Sequence, residues 1–98
     1  MKETDHRSIE LFKALSSAPR LKILRILLKG PANVTTLTRI LKKRQATVSQ
    51  HLKILRDFEL VSYVTRDKFV YYSIKKKEIE ELLDLSTKIM SRKREPSY

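Results

Sequence analysis

The hydrophobic period of the chain changes twice, and each change dictates a change of secondary structure. Up to Phe58 apolar residues recur at helical spacing. From Leu60 to Ile74 they follow runs rich in Val, Thr and Tyr that alternate every second residue, and from Lys76 the helical spacing returns. The pattern predicts a mainly α chain with a small β-hairpin, an α+β fold in the order α-α-α-α-β-β-α. At 98 residues it makes one domain, 1–98, whose core is modest enough that pairing with a second copy would help it.

Four helices are expected before the hairpin. The first covers about 8–16, with Ile9, Phe12 and Leu15 on one stripe. Ser17 is placed to cap the second, whose first turn holds Pro19, where a missing N–H costs nothing. Leu21, Ile23, Leu24, Ile26, Leu27 and Leu28 make that helix apolar on most sides, and Gly30-Pro31 stops it. Asn33 can cap the third, which presents Val34, Leu37, Ile40 and Leu41 to the core. The fourth, 45–57, buries Val48, Leu52 and Leu55.

Strands Leu60–Thr65 and Phe69–Ile74 follow, joined through Arg66-Asp67-Lys68. The last helix, about 76–91, carries Ile79, Leu82, Leu83, Leu85, Ile89 and Met90, a stripe wide enough to cover another subunit. Ile9 and Phe12 of the first helix with Leu82, Leu85 and Ile89 of the last are therefore the candidate dimer interface, the other reading being that the last helix folds back on its own core. Residues 92–98 show no packing pattern and are expected to fray.

Charge narrows the class of partner. The formal net charge is +11, and residues 31–77 hold 11 basic and 3 acidic side chains against 4 and 5 in residues 78–98. A membrane surface or plain solubility would account for the same total, but concentration of positive charge in the middle of the chain favours nucleic acid. No apolar run reaches the length of a membrane span, and the N-terminus lacks the apolar core of a signal peptide, so no membrane partner and a cytoplasmic location are expected. Absence of cysteine rules out disulfides, thiolate metal sites and thiol switches.

The fourth helix carries the most specific signal. Its outer face holds Ala46, Ser49, Gln50 and Lys53, short side chains and an amide where a solvated face would be filled with Glu and Lys. Such a face can approach base edges in double-stranded DNA. Lys42, Lys43 and Arg44, with Gln45, occupy the turn before it, where long cations reach phosphates; the bland alternative is a basic, solvated loop. Arg66 and Lys68 at the hairpin tip can lie over the backbone or minor groove, or the hairpin can merely complete the core. No glycine-rich phosphate loop or cysteine nucleophile is present, and Glu78, Glu80, Glu81 and Asp84 read as a solvated face, so no catalytic residues and no enzyme are expected.

Three segments together resemble the ArsR/SmtB family of winged-helix transcriptional repressors: Leu11 to Leu24 (LFKALSSAPRLKIL), Ala46 to Arg56 (ATVSQHLKILR), and the hairpin with Leu60-Val61 and Val70 to Ile74 (VYYSI). The resemblance covers nearly the whole chain. It implies a winged helix-turn-helix, a homodimer built from the first and last helices, and a fourth helix set in the major groove of a palindromic operator. Carried onto this sequence, Gln45, Ala46, Ser49, Gln50 and His51 would read bases, with Thr47 beside them and Lys53 nearer the backbone, while Arg20 would be structural. Gln50 can pair with adenine through two hydrogen bonds.

Metal-sensing relatives carry a Cys-x-Cys pair where this chain has Asn33-Val34-Thr35, and others use His on the last helix, which here has none. No metal and no cofactor are expected, and the sequence names no small-molecule effector. Of the two histidines, His51 reads as a half-buried buttress of its helix and His6 as part of a loose N-terminus. The competing functional class is an architectural protein that coats DNA through charge with little regard to sequence.

Overall fold

In the computed structural model, residues 2–91 are described and form five helices and a three-stranded sheet. Helix α1 (Glu3–Leu15) begins well before the expected 8, because its first turn is set by charge rather than by packing. Glu3 and Asp5 sit at the positive end of the helix dipole, and the Asp5 carboxylate accepts from the Lys2 N–H at 3.4 Å. Apolar spacing cannot register a turn that buries nothing. His6 accordingly lies on an exposed helix surface rather than in a loose tail.

Helix α2 (Ala18–Leu28) starts as expected, with the Ser17 hydroxyl accepting from the Arg20 N–H at 3.3 Å and proline in the first turn. Its Ile23, Leu24 and Leu27 form the centre of the core. Past the cap at Lys29, Gly30 takes φ +143°, a conformation that side chains rarely adopt. A two-residue strand, β1 (Ala32–Asn33), follows; it pairs Ala32 with Tyr72 and Asn33 with Tyr71. A strand of this length has no periodicity to read, so the hairpin gains an unforeseen third member.

Helix α3 (Val34–Leu41) is capped by the Asn33 carbonyl oxygen, which accepts from the Thr36 N–H at 2.8 Å. Leu37 is buried and Val34 and Leu41 pack against the core, but Ile40 is 51% exposed, contrary to expectation. Positions 34, 37 and 41 already fill the stripe of a helix this short, which turns Ile40 toward an open groove shared with Leu21 and Ile26. Helix α4 (Gln45–Asp57) buries Val48, Leu52 and Leu55 completely.

Strands β2 (Val61–Arg66) and β3 (Phe69–Ile74) pair antiparallel from Val61 with Ile74 to Arg66 with Phe69, giving the sheet order β1-β3-β2. Helix α5 (Glu78–Ser91) buries Ile79 and Leu83 on the same core. The winged helix-turn-helix order is thus the one expected. Residues 92–98, expected to fray, lie outside the described residues.

Candidate nucleic-acid interface

The turn between α3 and α4 is built so that its cations point outward. Lys42 ends α3 in the left-handed conformation (φ 56°, ψ 44°), and the Thr38 carbonyl accepts from both the Lys42 N–H (2.8 Å) and the Lys43 N–H (3.3 Å). That tight closure leaves room for only Lys43 and Arg44 before α4 begins. The side chains of Lys42, Lys43 and Arg44 are all exposed.

Helix α4 is fixed from behind by its three buried apolar residues, so its opposite face is presented rigidly. Gln45, Ala46, Thr47, Ser49, Gln50 and Lys53 are all exposed on it. Lys53 does not stand free: its Nζ lies 3.2 Å from the Asp57 carboxylate one turn on, a solvent-exposed pair that holds little energy and can be exchanged for another anion. His51 is different from the rest of the set. It is half-buried, and its Nδ1 lies 3.3 Å from Nη1 of Arg20, whose Nε donates to the Ala14 carbonyl at 2.6 Å. Arg20 thus ties the end of α1 to the middle of α4, a structural part of the kind that the family resemblance implied for it.

Burial and this contact both favour the uncharged form of His51. Burial, then the nearby Arg20 and Lys43 cations, hold its pKa below the ordinary 6.5. A neutral ring with an unprotonated Nδ1 can accept from the guanidinium, so the contact and the lowered pKa are one arrangement.

The wing is oriented by its base. The Arg56 guanidinium of α4 lies 5.3 Å from the centre of the Tyr63 ring, and Tyr63 and Tyr72 are 5.7 Å apart across the hairpin. At the tip, Asp67 (φ 49°) and Lys68 (φ 72°) are both left-handed, as a two-residue hairpin turn of the mirror-image type demands. The expected three-residue join Arg66-Asp67-Lys68 is thus a two-residue turn, with Arg66 paired into β2 opposite Phe69. Arg66 and Lys68 are exposed.

Wing and α4 share a cleft of about 200 Å³, lined by Asn33, Val34, Thr35, Gln45, Lys68, Phe69 and Val70. It brings together Gln45 and Lys68, two residues singled out from sequence, and adds Thr35 and Phe69, which were not. Strand alternation identifies Phe69 only as a β residue; its position beside α4 depends on β1, which carried no signal.

On the far side, Phe12 (58%), Leu85 (55%) and Ile89 (64%) are exposed, as is Ile9, whereas Leu82 is half-buried against the domain's own core. Leu11, Leu82 and Leu85 line one open cleft between α1 and α5. Glu78, Glu80, Glu81 and Asp84 are all exposed. Among the described residues no group of three or more His, Cys, Asp or Glu side chains is placed to hold a metal ion, and no helix is long and apolar enough to cross a membrane.

Comparison with known proteins gives a consistent picture. The profile of the family described as "Bacterial regulatory protein, arsR family" matches residues 17–63, from the α2 cap to the start of the wing. The chain is 37% identical to the arsenical resistance operon repressor of Bacillus subtilis over 73 residues, 74% of this chain and 70% of that one. It is 34% identical to a cadmium resistance transcriptional regulatory protein CadC homolog of Staphylococcus aureus over 76% of its own length, but spans only 63% of that relative. The solved structure of HlyU from Vibrio cholerae superposes with a TM-score of 0.82 at 28% identity, covering 94% of this chain and all of that one. HlyU of that organism is described as a transcriptional activator.

Proposed function

The chain belongs to the arsR family of bacterial regulatory proteins, and from that premise we propose that it acts in the cytoplasm as a homodimeric, sequence-specific transcriptional repressor that sets α4 in the major groove of a palindromic operator. The observation that carries this reading is the outer face of α4. A binder relying on charge alone gains most from Lys or Arg at every outward position, yet Gln45, Ala46, Ser49 and Gln50 are uncharged and exposed, with the cations displaced to the flanking turn and the wing. In this reading Gln45, Ala46, Ser49 and Gln50 face base edges, and His51, expected from the resemblance to join them, instead holds the edge of that face in place through its half-buried contact with Arg20; Thr47 and Lys53 lie toward the strand, and Lys42, Lys43, Arg44, Arg66 and Lys68 neutralise phosphates.

The homodimer is built from α1 and α5, where Ile9, Phe12, Leu85 and Ile89 leave apolar surface uncovered and Leu82 meets the edge of the interface. A solved relative of the same fold is described as a homodimeric winged helix-turn-helix domain. Two-fold symmetry requires two inverted half-sites about one helical turn apart.

Selection from a randomised duplex library tests the proposal. Enrichment of one inverted repeat supports it. Failure to enrich any sequence, with strong binding throughout, would replace it with the architectural reading that the net charge of +11 favours.

A further inference from the structure

Among the described residues, the exposed large apolar side chains fall into two groups and one single residue. Ile9, Phe12, Leu85, Ile89 and Met90 belong to the terminal helices, Tyr63, Val64 and Phe69 to the wing, and Ile40 stands by itself. Dimerisation covers the first group and leaves the second unexplained. Within the wing, Tyr63 is engaged by Arg56 and Tyr72. Phe69 has no such partner assigned: it is 51% exposed and takes no part in the packed core or in an aromatic pair among the described residues.

Its placement is specific. Antiparallel register sets Phe69 directly across from Arg66, one step from the Asp67-Lys68 turn. It also lines the cleft that runs from Lys68 to Gln45 at the start of α4. A DNA strand followed from the wing cation to the first residue of the reading helix therefore passes over Phe69. Between successive phosphates such a strand offers the apolar C–H surface of deoxyribose, which lysine and arginine leave without a matching partner and an aromatic ring covers well.

We propose that Phe69 is a DNA-contacting residue whose ring packs against deoxyribose between the strand segments held by Lys68 and by the start of α4, so fixing the register of the wing. This rests on the DNA-binding reading above. The contact is apolar and displaces no counterion, which separates it from every cationic contact on the same face.

The test is a salt series of operator affinities, measured for the wild-type protein, Phe69→Ala, Phe69→Leu and Lys68→Ala, with hydroxyl-radical cleavage of each complex to report sugar accessibility. Phe69→Ala is expected to bind about tenfold more weakly at every salt concentration with an unchanged slope, and Phe69→Leu to recover most of the loss. Lys68→Ala is expected to lower the slope by roughly one. Sugars beside the wing should be protected in the wild-type complex and open in Phe69→Ala, while those beside α4 stay protected. Phe69→Ala affinity within twofold of wild type, a loss that comes with a reduced slope, or no sugar protection beside the wing in the wild-type complex would each overturn the proposal; the last needs no variant to fold. Absence of any operator binding by the wild-type protein would instead remove the reading on which it rests.

Discussion

Arg20 and His51, 31 positions apart in the chain, meet at 3.3 Å between Nη1 and Nδ1, with Arg20 held on its other side by the Ala14 carbonyl. One guanidinium therefore joins α1, α2 and α4. The geometry needs His51 neutral, since a proton on Nδ1 would abolish the acceptor and place two cations together.

Stability is accordingly expected to fall on mild acidification. The folded-state pKa of His51 lies below the ordinary 6.5, so between the two values the unfolded chain binds a proton that the native chain resists. The contribution is fully present above 6.5 and is lost as pH falls through the folded value. Thermal melting at several pH values should show this for wild type and less of it for His51→Gln, whose amide oxygen can still accept. Arg20→Ala should cost about 1.5–3 kcal/mol, the usual range for a hydrogen bond that involves a charged group.

Lys42 is a lysine at a position that glycine would fill with less strain. Lys42→Gly should relieve the left-handed backbone, which costs a side-chain-bearing residue about 1–2 kcal/mol, against a smaller entropic penalty from the more flexible unfolded chain. The expected net is a gain of roughly 0.5 kcal/mol in chemical denaturation, together with weaker DNA binding and a smaller salt slope. Stability and affinity moving in opposite directions would identify the strain as retained for the cation.

Base readers and phosphate binders should separate cleanly on mutation. Gln50→Ala should cost about 1–3 kcal/mol of discrimination at one base pair per half-site. Lys43→Ala and Arg66→Ala should weaken binding to all sequences and flatten its salt dependence. Titrations on operator and scrambled duplexes distinguish the two behaviours.

Much of this arrangement was legible in the sequence because it follows from periodicity and capping. The stripe at Val48, Leu52 and Leu55, the caps at Ser17 and Asn33, and the second wing strand appear where those rules put them, while the first wing strand runs from Val61 to Arg66, one residue later than expected. What was not legible has a physical reason in each case. The first turn of α1 is fixed by the charge of Glu3 and Asp5 and buries nothing, and β1 is too short to alternate. Ile40 turns outward because three other residues already fill the α3 stripe. The Lys68–Gln45 cleft depends on β1 and on the wing's attachment through Arg56 and Tyr63, which no local pattern encodes.

Charge introduced on α5 should separate the subunits. Leu85 is exposed and lines the α1–α5 cleft, so Leu85→Glu should leave the domain folded by circular dichroism but monomeric by sedimentation, with much weakened operator binding. A wild-type protein that sediments as a monomer at micromolar concentration would exclude this interface.

Whether α4 reads sequence or merely adds charge is decided by the ratio of affinities for the selected inverted repeat and for a scrambled duplex of the same length, measured at about 150 mM salt, where non-specific attraction is weakened. A preference of about a thousandfold or more, which falls when Gln50 is replaced by alanine, is the expected result. A ratio near one, unchanged by that substitution, would contradict sequence reading by α4.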